Sequence, residues 1–256
     1  MTGEDSIPRF DALLPPEMAR RAEEIGVKKA ALDKPSLLAL AVLAGVVFSL
    51  GLILVVVGGA ELFTGNNLIV MAWAGGRVPT AALLRNWSIV YVGNFLGAAS
   101  VALAVWAGGT YEAGGGAFGV TAVEIAAAKL RLGFWQAVTL GALCNVLVCL
   151  AVWLCYSART TADRVLAIVP PIAAFVASGF EHSIANMYFV PVGLFIAALD
   201  PGFVDAHGLA AHAAALGWGA FLARNLAPVT LGNVIGGALL VGAVYWFVYL
   251  LPRRTA

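Results

Sequence analysis

The sequence predicts an all-α membrane protein of two related halves, inverted relative to each other, each with one helix broken part-way through the bilayer. Three observations carry that prediction. The chain is 61% hydrophobic and only 11% charged, with a mean hydropathy of +0.92, where a soluble domain carries about 25% charged residues. Its apolar runs are separated by short polar connections. Two of these runs are interrupted by polar residues, and a spanning helix needs about 20 apolar residues. A polar break at membrane depth is tolerated only where protein or an aqueous cavity surrounds it, because lipid cannot satisfy freed backbone groups. The net charge of +1 gives no nucleic-acid footprint.

Residues 1–34 form a polar lead. Pro15-Pro16 and the following Glu17 to Gly26 predict a short amphipathic helix ending at Gly26, with Lys28 and Lys29 beyond it. It reads either as a surface helix or as a cap at a pore mouth. Residues 35–251 read as one membrane domain with repeat halves at about 36–107 and 134–251, and residues 252–256 as a basic tail. Residues 36–57 predict a first long helix running into the break Gly58-Gly-Ala-Glu-Leu-Phe-Thr-Gly-Asn-Asn67, followed by a short apolar piece to residue 74. Residues 81–107 predict a full span. Residues 108–133 read as a Gly-rich loop, 134–156 as a full span, and 165–199 as a second broken helix interrupted by Gly179-Phe-Glu-His-Ser-Ile-Ala-Asn-Met187. Residues 200–225 read as a polar loop and 226–251 as the last span, stopped by Pro252. Cys144, Cys149 and Cys155 share one apolar run, as small core residues do. No signal peptide is visible, since the first apolar run starts too late.

Two features occur twice. Glu61 and Asn66 are five apart at the first break, as are Glu181 and Asn186 at the second; Gly93-Asn94 with Gly97 is answered by Gly232-Asn233 with Gly236. Discontinuous helices at corresponding positions of two halves point to a transport site near the midplane. The second half has a full span before its broken helix and the first half has none, which leaves five apparent spans instead of six. The positive-inside rule sharpens the mismatch. With Arg159, Arg164, Arg253 and Arg254 inside, Arg77 and Arg85 are also inside. A single crossing over 36–76 would then put the basic lead (Arg20, Arg21, Lys28, Lys29, Lys34) outside. One more span before residue 36 would remove the conflict.

The stretches Gly59-Ala-Glu-Leu-Phe-Thr-Gly65, Val92-Gly-Asn-Phe-Leu-Gly-Ala98, Gly141-Ala-Leu-Cys-Asn-Val-Leu-Val-Cys-Leu-Ala-Val-Trp153, Ala177-Ser-Gly-Phe-Glu-His-Ser-Ile-Ala-Asn-Met187 and Asn225-Leu-Ala-Pro-Val-Thr-Leu-Gly-Asn-Val-Ile-Gly-Gly237 resemble the formate/nitrite transporter family. The resemblance implies an aquaporin-like fold, a homopentamer with one pore per protomer, and a multi-pass place in the bacterial inner (cytoplasmic) membrane. It implies a channel or transporter rather than an enzyme, without cofactor or metal, whose partners are the bilayer, protons and a small monovalent anion. Formate is the first choice, nitrite and hydrosulfide the alternatives. Lys34-Pro-Ser-Leu-Leu-Ala-Leu40 resembles the start of the family's first helix, and the segment entering Glu61-Leu-Phe-Thr64 its second, so about one helix and its loop are missing between them.

The resemblance maps the family's central pair onto Thr64 and His182. Thr64 is expected to orient the imidazole, and His182 to donate to the anion or protonate it; histidine is the side chain poised near neutrality. Phe48, Leu52 and Phe175 correspond to apolar constrictions, which exclude hydrated ions by dewetting; without the resemblance all three read as core or lipid-facing residues. Glu61 and Glu181, with Asn66 and Asn186, read as structural groups at the breaks, the carboxylates accepting orphan backbone N–H groups. Asn145 reads equally as pore-facing or as an interhelical hydrogen bond. Lys129 either concentrates anions at the outer mouth, as the corresponding family position suggests, or is a solvated loop lysine. His207 and His212 lie near Asp205, but nothing supplies a fourth metal ligand.

Competing functions come from other classes. A neutral-solute pore suits the fold, but neither break holds an Asn-Pro-Ala sequence. A membrane enzyme lacks any metal set, nucleophile elbow or phosphate loop. A non-conducting, shortened protomer follows if the missing helix is essential.

Overall fold

The computed structural model describes residues 12–46 and 51–251. Helix α1 runs Pro15–Ala31, α2 Lys34–Val46 and α3 Gly51–Val56. The first break follows, leading through a 3-10 turn at Gly65–Ile69 into α4, Val70–Ala74. Then come α5 (Thr80–Ala107), α6 (Ala117–Leu130), α7 (Phe134–Ser157), α8 (Thr161–Ala177) and α9 (Ser183–Leu199). Two short helices, α10 (Pro201–Ala206) and α11 (Ala210–Ala213), precede α12, Trp218–Tyr249. Among the described residues α5, α7 and α12 are long and apolar enough to cross a membrane alone. Helix α9 is a shorter apolar helix, separated from α8 by the second break.

Several boundaries differ from the sequence reading. Helix α1 does not stop at Gly26; that glycine is buried where α1 crosses the 3-10 turn, and a Cβ there would stand 3.2 Å from the Ala72 Cβ and 3.3 Å from the Ile69 Cα. The stretch 108–133 holds α6, which begins after the left-handed glycines Gly114, Gly115 and Gly116. Those glycines terminate one turn rather than making the whole segment a loop. The last span begins at Trp218 inside the stretch read as loop, and passes through two wider π-helical stretches. Glycines let α12 press against α7: a Cβ on Gly232 would overlap the Val138 carbonyl oxygen, and one on Gly236 that of Ala142.

The two halves share one scaffold but not one length. The Glu61 N–H donates to the Leu40 carbonyl at 3.2 Å, and the Glu181 N–H to the Leu140 carbonyl at 3.3 Å. Each bond closes an excursion, of residues 41–60 in the first half and 141–180 in the second. At 1.5 Å per residue, α7 continues about 25 Å beyond Leu140, whereas α2 continues about 9 Å from Leu40 to Val46. A single helix over 36–57 would carry its end far from Leu40, so the expected continuous helix is excluded. The first half forms a shortened, re-entrant excursion.

The contacts of the lead bear on the charge conflict. Arg85 donates to the carbonyls of Ala30 (2.6 Å) and Leu32 (3.0 Å), Arg77 pairs with Glu23 at 2.9 Å, and the Ser157 hydroxyl donates to the Leu13 carbonyl at 3.0 Å. The described lead, the α4–α5 connection and the end of α7 therefore share one face. The stretch 36–76 leaves that face and returns to it, so the basic lead stays with Arg77, Arg85, Arg159 and Arg164, as the positive-inside rule requires.

Candidate functional site

The site is built from two asparagines on unbroken helices, each clamping the break beside it. Asn94 on α5 accepts from the Phe63 N–H (3.0 Å) and donates to the Glu61 carbonyl (2.9 Å). Asn233 on α12 accepts from the Ser183 N–H (2.9 Å) and donates to the carbonyls of Glu181 (3.0 Å) and Gly141 (2.8 Å). A broken helix in a membrane leaves backbone groups that lipid cannot satisfy, and an amide offers both donor and acceptor from one fixed position. The role expected of Glu61 and Glu181, accepting the orphan N–H groups, thus falls to Asn94 and Asn233.

The two glutamates instead anchor a second layer. Lys29 Nζ pairs with Glu61 Oε1 at 2.8 Å and donates to Asn66 Oδ1 at 3.0 Å. Asn66 donates to Glu61 Oε2 at 2.6 Å and to Asn86 Oδ1 at 2.9 Å, while Asn86 donates to the Lys29 carbonyl at 3.0 Å. The other half repeats this. Lys129 pairs with Glu181 at 2.8 Å, Asn186 donates to Glu181 at 2.6 Å and to Asn225 at 2.8 Å, and Asn225 donates to the Lys129 carbonyl at 3.1 Å. Each buried carboxylate has its cation and amide donors, as the desolvation of an ion requires. Lys129 thus stands on a helix against Glu181, with its ammonium 5.8 Å from the Phe189 ring centroid. Lys29, Asn86 and Asn225 escaped the sequence reading. The signal for the two asparagines was a shared spacing, each eight residues before Asn94 or Asn233.

The breaks meet at an unlike pair. Thr64 Oγ1 lies 3.0 Å from His182 Nε2, and both residues are buried. His182 Nδ1 accepts from the Ala185 N–H at 3.2 Å as the cap of α9. A backbone N–H can only donate, so Nδ1 holds a lone pair and the neutral ring carries its proton on Nε2. Nε2–H then donates to the Thr64 oxygen, and the threonine's own O–H is left to donate elsewhere. Phe175 is buried beside this pair, its ring 6.0 Å from the imidazole and inclined by 23°. Leu52 is buried in the same apolar cluster, and Phe48 lies outside the described residues.

Asn145 is an interhelical clamp here. Its amide reaches the Asn233 carbonyl (2.7 Å), Asn67 Oδ1 (3.1 Å) and the Thr64 carbonyl (3.3 Å). Helix α7 therefore ties the first break to α12. Cys149, one turn on, donates to the Thr64 carbonyl at 3.4 Å. His207 packs on Phe203, and no group of three or more His, Cys, Asp or Glu suited to a metal occurs among the described residues.

A model of the formate/nitrite transporter family matches residues 25–247. The chain belongs to that family. It is 43% identical to the formate channel FocA of Escherichia coli (strain K12), over 276 residues covering 94% of this chain and 96% of FocA. The FocA of Haemophilus influenzae is 44% identical over 200 residues, covering 77% and 70% of the two chains. A solved pentameric formate channel with formate bound superposes with a TM-score of 0.73 at 40% identity, covering 92% of this chain and 94% of that one. An ion channel described as of the FNT family follows at a TM-score of 0.65 and 26% identity. The chain is thus an integral membrane channel protein of this family and not an enzyme. Because 94% of 256 residues is about 241, some 35 of the 276 positions matched in E. coli FocA have no counterpart here.

Proposed function

We propose that this chain forms a formate channel of the bacterial inner membrane, assembled as a homopentamer, with Thr64 and His182 as the central site of each protomer. The observation that carries the reading is the 3.0 Å contact between Thr64 Oγ1 and His182 Nε2, where the two breaks meet beneath Phe175. The named activity of the E. coli and H. influenzae relatives, and the pentamer with bound formate, supply the anion and the assembly.

The hydrogen bonding favours one order of events. Nε2–H fixes the Thr64 hydroxyl as an acceptor, so its O–H is the donor offered to an arriving carboxylate. Nε2–H follows once the anion displaces the Thr64 oxygen. Protonating Nδ1 would set two donors against each other at Ala185, so the ring acts first as a hydrogen-bond donor. Transfer of a proton to formate requires the anion to be seated against Nε2 and a second proton taken up from water at Nδ1, so that the ring passes from imidazolium to neutral imidazole; the Ala185 N–H opposes that uptake. The apolar walls around Phe175 and Leu52 strip water from the ion, and the two lysine–glutamate layers hold the breaks rigid on either side.

The test is uptake of labelled formate by proteoliposomes. Saturable uptake that His182→Asn reduces at least tenfold, in protein with an unchanged melting temperature, is the expected result. Uptake equal to that of empty vesicles would favour the non-conducting reading, which rests on the shortened excursion of residues 41–60.

A further inference from the structure

On the face shared by α1 and the end of α7 lies a cavity of about 210 Å³ between α1, α3, α7 and the first break. Its charged wall is made by Arg21, Arg164 and Lys29. Lys29 is committed to Glu61, but among the described residues neither Arg21 nor Arg164 has a carboxylate partner. The Arg164 Nε atom is buried without a hydrogen-bond acceptor. Among the described residues no carboxylate lines the cavity. Its remaining wall is mostly aliphatic, with Ile25, Val56 and Val152 prominent beside Cys155 and Tyr156, and its floor is Gly65–Asn66, immediately after Thr64.

We infer that this cavity binds an aliphatic monocarboxylate of about four to eight carbons and that such a ligand blocks the inner mouth. The half-buried Arg164 guanidinium, with its unsatisfied Nε, and the exposed Arg21 on the same wall suit an anion with planar acceptor geometry, which a carboxylate supplies. At ~30 Å³ per water the space holds about seven waters, far more than a one-carbon anion displaces, and it is smaller than the roughly 300 Å³ at which drug-sized sites begin. The aliphatic wall gains from covering a hydrocarbon body and gains nothing from phosphate or sulfate. Seated there, the ligand stands directly before Thr64 and excludes the transported anion. Neither arginine takes part in the central pair or the lysine–glutamate layers. Only the blocking step rests on the transport reading above; binding does not.

The probe is hexanoate, with 1-hexanol as its uncharged match. Calorimetry on the detergent-solubilised full chain should show saturable hexanoate binding, at least tenfold weaker for hexanol. Arg21→Gln with Arg164→Gln should weaken hexanoate at least tenfold, and so should Ile25→Trp, which fills the cavity and keeps both charges. Hexanol binding as tightly as hexanoate, an unchanged affinity in the double variant, or no saturable binding overturns the site. In proteoliposomes, hexanoate should inhibit formate flux through the unaltered chain and spare the double variant, whose basal flux stays within twofold. Binding without inhibition overturns the blocking role. Binding intact in a chain that carries no formate upholds the site and sinks the transport reading instead.

Discussion

The two half-repeats are alike where they hold the fold and unlike where they meet. Lys29, Glu61, Asn66, Asn86 and Asn94 make the same bonds as Lys129, Glu181, Asn186, Asn225 and Asn233, nearly atom for atom. At the centre the register gives Leu62 opposite His182, and Thr64 opposite Ile184. A duplicated frame supplies rigidity twice, while chemistry needs one donor–acceptor pair, so only one copy of each half's break retains each polar side chain. The frames differ in a few bonds: Lys29 bonds Asn66 Oδ1, whereas Asn186 Oδ1 is buried without a partner among the described residues, and Asn225 also donates to Glu181 and Asn233 to the Gly141 carbonyl. They differ also in length, since the closed excursion is 20 residues in one half and 40 in the other.

The largest effect should come from the clamps. Asn233→Leu strands the Ser183 N–H and the Glu181 carbonyl in a buried site, at ~1–3 kcal/mol for each unsatisfied group; loss of the monodisperse solubilised protein is expected. Asn94→Leu should match it if the halves are equally braced. A much milder Asn94 variant would show that the shortened half carries less of the fold. Next come the ion pairs. Lys129→Met and Lys29→Met each bury an uncompensated carboxylate, a loss of about 3–5 kcal/mol, read as a lower melting temperature. Adding Glu181→Gln or Glu61→Gln should recover part of it. Lys29→Met should cost more than Lys129→Met, because Lys29 holds the additional asparagine bond. Asn145→Leu is smaller in stability, about 1 kcal/mol for each interhelical bond lost, and should loosen both halves together because it joins them.

The smallest effect lies outside the membrane frame. The Tyr111 hydroxyl donates to Asp200 at 2.7 Å. That bond, with the Phe203 N–H, holds the Asp200 carboxyl below the usual range, and the same carboxylate pushes the Tyr111 phenol up to about 12. A depressed carboxyl contributes stability above its unfolded pKa of about 3.8 and loses it as pH falls through its folded value. Tyr111→Phe should therefore melt slightly lower than the unaltered chain at pH 7, and the gap should narrow as pH falls below about 3.8.

Much of the frame was legible in the sequence, because Glu61/Asn66 and Glu181/Asn186 are local spacings repeated at two helix breaks, and Asn94 and Asn233 repeat within Gly-Asn motifs. Their partners were not legible. Lys29, Lys129, Asn86 and Asn225 come from neighbouring helices, 20 to 96 residues away from the groups they bond, and spacing within one break does not mark such a contact. The carboxylates were assigned to the orphan N–H groups on local capping logic; amides on distant helices took that role. Helix α6 was hidden by three consecutive glycines whose effect ends at Gly116. The re-entrant course of the first half could not be read from hydropathy, which counts apolar residues and is blind to direction.

The account's central claim is that Thr64 and His182 act on the anion as one unit. A double-mutant cycle on formate flux in proteoliposomes tests it most directly, with Thr64→Val, His182→Asn and both together. The account predicts that each single change lowers flux at least tenfold and that the double variant is no worse than the weaker single. Losses that multiply would make the two residues independent, and flux unchanged in either single variant would place the path of the anion elsewhere.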